Sequence, residues 1–191
     1  RVQLTRSASD RLRIDFTGSS PLHPRNFNAP RAVTQAAVMY ALRLFVDQPI
    51  PMNEGLLRAI DLVVPEGMLN PRFESDPARC PPVVAGNVET SQSVVAVLAD
   101  ALALSAESQS TMNNTLFGNE RFTIYETLGG GAGAGPGTHV AGPCTEGAGP
   151  CTEGAGGVHV HMSNTRLTDI DVLERRAPVI IREFGIRSAS G

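Results

Sequence analysis

Lysine is missing from this chain; all 16 of its basic residues are arginine. That absence removes the Walker-type nucleotide loop, whose lysine must reach the β- and γ-phosphates. Tryptophan is missing too. Three cysteines, Cys80, Cys144 and Cys151, are an odd set and too few for a secreted disulfide framework, so reduced thiols in a cytoplasmic setting are expected. No apolar run approaches the roughly 20 residues that cross a bilayer, and no charged-then-apolar-then-small leader opens the chain. A net charge of −3 argues against a nucleic-acid partner, which demands a basic face.

What remains is a chain of 191 residues, enough for one domain (1–191) that buries about 70% of its unfolded surface. Both ends fall close to strand-like sequence, so the chain reads as a segment of a longer polypeptide. Leu12, Ile14 and Phe16 alternate with polar neighbours and, with Val2–Thr5 before them, spell a hairpin. Val33, Ala36, Ala37, Tyr40, Ala41, Leu44 and Phe45 recur at helical spacing, with Pro30 before and Pro49 after. Leu57–Val64 reads as a strand, followed by a proline-rich loop that holds Cys80. A second, very apolar helix opens near Asn87, with Asn87 or Thr90 as cap and Val94, Val97, Leu98, Ala101 and Leu102 as its buried stripe. Thr111–Phe117 and Arg121–Thr127 read as a strand pair. Val158–Met162 and Val179–Phe184 read as further strands, and Asp169–Arg176 as a short helix. The predicted class is α+β, a mixed or mainly antiparallel sheet with two main helices.

The richest local signal follows Phe122–Tyr125. Glu126-Thr127-Leu128 runs into Gly129–Gly137, a stretch made almost wholly of glycine and alanine. Glycine lets backbone come close to a ligand or to other backbone. A dinucleotide fingerprint fits poorly, because Pro136 stands where a helix should begin. A backbone-lined site and a plain flexible loop both remain open. Residues 132–157 form a Gly-rich loop in which Gly142–Ala148 repeats exactly as Gly149–Ala155. Two copies of seven residues are too short and too few for a solenoid. Cys144 and Cys151 lack a second ligand pair at zinc-site spacing.

His159 and His161, alternating on a strand, would share one face, where two imidazoles can ligate a metal or move protons. Structural histidines bonded to local carbonyls are the competing reading, and His139 in the loop could join them. Asn113 and Asn114 offer amides on opposite faces of a strand. Glu89 and Glu126 sit at element boundaries, and Arg166 could grip a carboxylate or phosphate. No Gly-x-Ser-x-Gly elbow exists, and Cys80 has no histidine at a telling spacing, which disfavours a Ser or Cys triad.

Several blocks together carry a resemblance. Asp15–Pro21, Asn28-Ala29-Pro30, Pro51–Arg58, Leu69–Phe73, Val84–Gln92, Thr111–Asn114, Tyr125-Glu126-Thr127 with its glycines, His159–Arg166 and Leu173–Arg176 occur in the order seen in the hydantoinase B/oxoprolinase family, which the chain resembles from about residue 12 onward. The resemblance implies part of the B-type subunit of an ATP-dependent cyclic-amide hydrolase acting on hydantoins or 5-oxoproline. The same family includes subunits of biotin-independent ketone carboxylases. It implies ATP and Mg on an A-type partner, a divalent metal, if any, upstream of Arg1, and a small-molecule substrate. Neither nucleic acid nor membrane is implied as a partner. In that reading His159, His161, Glu126, Asn113 and Asn114 form the catalytic set, and Gly129, Gly130, Gly131, Glu89 and Arg166 contact substrate. The glycine N–H groups would face an oxyanion or carboxy-phosphate, the histidines would move protons, and the asparagines would orient the substrate. The Cys-Thr-Glu tandem and the Glu74–Pro82 stretch are longer than the family pattern. A reading from another class is a non-catalytic assembly element that packs on the rest of the subunit.

Overall fold

A computed structural model describes residues 1–7, 10–46, 48–136 and 151–186. The chain enters as a hairpin. Strand β1 (Gln3–Arg6) pairs antiparallel with β2 (Leu12–Asp15), which places Leu4 opposite Ile14. Strand β3 (Ile60–Val63) then joins β2 in parallel, giving the order β1-β2-β3. Parallel neighbours need a long crossover. Helix α1 (Arg31–Phe45) lies within it and buries Ala37, Val38, Ala41 and Leu42.

Helix α2 (Ser91–Ala101) supplies the other wall. Val94, Val95 and Leu98 meet Ile14, Phe16 and the buried stripe of α1 in one hydrophobic cluster. Two long connections are tied to this core by buried polar side chains. Asn28 donates to the carbonyls of His23, Arg25 and Pro82 and accepts from the His23 N–H. Thr34 donates to the Leu69 carbonyl at 2.7 Å. Each bond satisfies a group that would be costly to bury unpaired.

Beyond the core, β4 (Asn113–Asn119) and β5 (Phe122–Leu128) form a two-stranded ribbon. The glycine run continues as two short ladders: β6 (Gly131–Ala132) pairs with β9 (Ala155–Gly156), and β7 (Gly135–Pro136) with β8 (Cys151–Thr152). Helix α3 (Ile170–Arg176) follows, its N-terminus capped by the Asp169 carboxylate accepting from the Asp171 N–H at 2.9 Å. Helices combined with small antiparallel and mixed sheets bear out the α+β class. Among the described residues no helix is long and apolar enough to cross a membrane.

Four local expectations need correction. Only Ile60–Val63 of the Leu57–Val64 stretch is strand. Glu54–Ala59 winds as a 3₁₀ turn because the Asn53 side chain accepts from the Gly55 N–H and starts the coil. Helical winding around α2 begins earlier than expected, as a wide π-type turn over Gly86–Thr90. Thr90 is therefore already helical, and its hydroxyl donates to the Phe27 carbonyl, so neither it nor Asn87 caps α2. Val158–Met162 is not a strand. Its end coils into a 3₁₀ turn, His161–Ser163, with His161 itself left-handed at φ 50°. Val179–Phe184 pairs with no strand among the described residues, and Ile180 and Phe184 stay exposed. His139 and the first copy of the seven-residue repeat lie outside the described residues.

Leu98 is fully buried between the helices. Leu98→Ala in the complete protein is expected to destabilise this domain by about 2–5 kcal/mol. A urea transition monitored by hydrogen exchange in α1 and α2 measures it.

Candidate functional site

The buried amide of Gln92 organises the site. Gln92 lies on α2 among Val94, Val95 and Leu98 and is 0% exposed. A glutamine on such a face needs partners for both halves of its amide. It finds them 68 and 70 positions along the chain: Nε2 donates to the Val160 carbonyl at 3.3 Å, and Oε1 accepts from the Met162 N–H at 2.9 Å. The turn between them is thereby held against α2. Ser163, also buried, closes it with N–H and hydroxyl bonds to the same Val160 carbonyl.

That turn carries His161 in the left-handed region, which non-glycine residues rarely occupy and which often marks functional sites. Its ring meets Tyr40 of α1 edge-on, with centroids 5.8 Å apart and Nδ1 3.3 Å from the Tyr40 hydroxyl. Burial lowers the affinity of the His161 imidazole for a proton and holds the Tyr40 phenol protonated beyond its ordinary range. The contact therefore joins a protonated phenol to an uncharged imidazole.

His159 precedes the turn and faces Thr165, which follows it. Nδ1 lies 2.8 Å from the Thr165 hydroxyl and accepts from the Thr165 backbone N–H at 3.2 Å. The ring packs over Gly129. A Cβ there would lie 2.9 Å from Cδ2 of His159 and 2.6 Å from the Gly157 carbonyl oxygen, so only glycine leaves the ring its place.

Both histidines line one open cleft of about 240 Å³. Its walls come from Tyr40 and Leu44 of α1, Ala99 of α2, Ser105 and Ser108 of the following loop, Ala132 of the glycine run, and Asn164. Among the described residues no carboxylate and no guanidinium lines it. The glycine run passes between two other backbone segments. The Gly130 carbonyl accepts from Gly157, the Gly131 carbonyl from Gln109, and the Ala134 carbonyl from Ala106. The Gly133 N–H donates to Ser108 Oγ at 2.9 Å. A Cβ on Gly133 would stand 2.1 Å from the Ala106 carbonyl oxygen. The glycines permit this close stacking of backbone.

The other sequence candidates do not reach the cleft. Asn113 and Asn114 are exposed on β4, and Asn114 Oδ1 accepts from the Thr127 hydroxyl. Glu126 on β5 accepts from the Thr168 N–H at 3.3 Å. Glu89 accepts from the Thr111 hydroxyl, and Arg166 is exposed without an ion pair among the described residues. Among the described residues no three His, Cys, Asp or Glu side chains gather to hold a metal ion. Cys80 is a free thiol that donates to the Glu74 carbonyl. Gln92, Tyr40 and Thr165 were not singled out by sequence. The available signal was Gln92 itself, a lone amide on an otherwise apolar helix face.

Two outcomes follow for the complete protein. Gln92→Leu strands the Met162 N–H, while the Val160 carbonyl keeps its bonds from Ser163, with an expected cost of about 1–3 kcal/mol and faster hydrogen exchange confined to residues 159–165. The second concerns pH. His161 resists protonation in the folded state, whereas the unfolded chain takes up a proton near the usual histidine value of about 6.5. Its contribution to stability is therefore full above that value and is lost as pH falls from there towards the lower folded-state pKa. His161→Asn keeps a residue that tolerates the left-handed backbone but does not titrate. Denaturation series should show a shallower loss of stability below about pH 6.5 for the variant than for the parent protein.

Comparison with known proteins matches the chain to a family. The hydantoinase B/oxoprolinase family matches over residues 1–191. The chain is 44% identical to 5-oxoprolinase 1 of Arabidopsis thaliana over 178 residues, which is 93% of this chain and 13% of the plant protein. It is 42% identical over 179 residues to the 5-oxoprolinase of Dictyostelium discoideum, again 93% of this chain and 13% of the relative. An uncharacterised protein of Methanocaldococcus jannaschii is 35% identical over 187 residues, 95% of this chain and 30% of the archaeal protein. The chain thus spans a small part of the length of the relatives it matches. No solved structure gives a significant match. With the match running from the first residue to the last, the glycine run, the histidine turn and the helix that holds it are features of a member of the hydantoinase B/oxoprolinase family.

Proposed function

We propose that this chain contributes part of the B-type half of an ATP-dependent hydrolase of cyclic amides, of the hydantoin or 5-oxoproline type. The observation that carries the reading is the shared cleft: His159 and His161 line one concave surface about the size of a small ring compound, and the glycine run reaches it at Ala132, with Gly129, Gly130 and Gly131 behind the lining. Relatives that bear the name 5-oxoprolinase support the substrate class. The same stretch fills 13% of the plant protein but 30% of the archaeal one. That difference suits a B-type half that is fused to other parts in one protein and stands in a shorter chain in the other.

ATP and its magnesium do not fit the residues present here. The chain has no lysine, the cleft has no cationic side chain among the described residues, and much of the glycine backbone is committed to its neighbours. Nucleotide chemistry is assigned to an A-type partner or domain, and this segment is left to hold the ring and assist its opening. A cleft lined by Tyr40, Ser105, Ser108, Asn164 and two imidazoles can hydrogen-bond the uncharged amide group of the ring from several sides, while a substrate carboxylate such as that of 5-oxoproline would have to find its partner outside this lining. Glu126, Asn113 and Asn114 share the β4–β5 ribbon outside the cleft, and their part in the site would be to meet substrate or partner from that side.

A second reading, assembly, is favoured by that ribbon. Leu116 and Tyr125 stand opposite each other on its outer face, 65% and 58% exposed. Apolar side chains paired in this way suit packing against the rest of the protein.

The test is turnover of ATP that depends on 5-oxoproline or a hydantoin, using the complete B-type protein with its A-type partner. Replacing His159 and His161 together by alanine should lower kcat by at least about a hundredfold. Unchanged turnover would remove both from catalysis and leave the assembly reading.

A further inference from the structure

We infer that His159 serves the reaction as a hydrogen-bond donor through Nε2–H, not as a proton acceptor, and that Thr165 is the positioning residue that sets it in that form. The inference rests on the reading of the cleft as the place where the cyclic amide opens. A backbone N–H can only donate. The Thr165 N–H, shared with the Ser163 carbonyl, points at Nδ1 of His159 at 3.2 Å, and the Thr165 hydroxyl approaches the same nitrogen at 2.8 Å. Nδ1 must therefore offer its lone pair, and the ring hydrogen of the uncharged imidazole sits on Nε2. Nε2 has no hydrogen-bond partner among the described residues. The Cδ2 edge beside it lies over bare Gly129 backbone, and the ring lines the cleft.

A ring in this state has no vacant nitrogen: one lone pair is engaged by Thr165 and the other position carries hydrogen. It cannot take a proton from water, but it can donate to an oxygen that gains negative charge. In ring opening, once the A-type partner has activated the amide with ATP, the water oxygen bonds to the amide carbon and an oxygen on that carbon becomes an oxyanion. The carbon–nitrogen bond then breaks and the carbonyl reforms. One water hydrogen goes to the departing nitrogen and the other leaves from the new carboxyl. His159 begins and ends with the same hydrogen on Nε2.

Two substitutions separate the roles in the complete protein with its A-type partner. His159→Gln keeps an N–H donor near the Nε2 position but has no basic nitrogen. His159→Asn keeps an acceptor for Thr165 but cannot reach the substrate. Expected is a drop in kcat of about 10²–10³ for the asparagine variant with little change in KM, and a glutamine variant within about tenfold of the parent. Equal large losses in both would make His159 a proton carrier and overturn the inference while the cleft reading stands. Parental turnover in both would overturn the cleft reading itself. Nitrogen NMR of protein labelled at histidine provides a measurement on the unmutated chain. An unprotonated Nδ1 and a protonated Nε2 are expected for His159, and the reverse pattern overturns the inference whatever the variants do.

Discussion

Gln92 places one amide in a hydrophobic interface and spends both ends of it on a turn 70 positions later in the chain. An unpaired amide at that depth would cost a substantial part of a domain's net stability. The two hydrogen bonds and the packing of α2 are therefore one constraint. Because α2 is locked to α1 through Val94, Val95 and Leu98, the histidine turn inherits the rigidity of the helix pair. Tyr40 reaches His161 from the other helix, so both supports of that ring come from rigid elements. Sites built on helices hold their geometry better than sites built on loops alone. Here a loop is made rigid by bonding it to a helix.

The glycine run contributes in a different way from the one its composition first suggests. Its carbonyls face the 106–109 loop on one side and the 155–157 segment on the other. Side chains at Gly129 or Gly133 would collide with neighbouring backbone. Glycine here is a means of stacking three stretches of main chain at close range, and the His159 ring occupies the space that Gly129 leaves. The sequence block and the histidine block are thus parts of one packing arrangement, although nearly thirty residues separate them and the intervening repeat adds length.

Much of the fold was legible because it rests on periodicity. The β1–β2 hairpin, α1, α3 and the β4–β5 ribbon all follow from alternation or helical spacing, within a residue or two at the ends. What was not legible depended on partners distant in sequence. Val-His-Val-His-Met alternates like a strand, yet no sheet edge receives it, and Gln92 pulls its end into a turn. Tyr40 read as one more apolar position on α1, since nothing local says that its hydroxyl meets a histidine 121 residues away. Sequence proposed both histidines as catalytic on a strand; they line one cleft, but on a different backbone. The face-sharing argument failed, and convergence came from tertiary contacts instead. Glu89, Glu126 and the paired asparagines were chosen for their type, and each is held outside the cleft by a local bond or by exposure.

The charge-free lining of the cleft bears on how labour is divided in such a protein. A phosphate would be held by cations or by a row of free backbone N–H groups, and among the described residues the cleft offers neither a guanidinium nor an ammonium. An uncharged amide needs the opposite: a few fixed neutral dipoles, whose effect grows as water is excluded and which need no counter-ion. One imidazole with Nδ1 engaged by Thr165, a second against the Tyr40 phenol that burial keeps protonated, and two serines form such a set. In the proposed reading such neutral dipoles would meet the carbonyl of the ring amide at a fixed distance, while activation is supplied by another part of the protein.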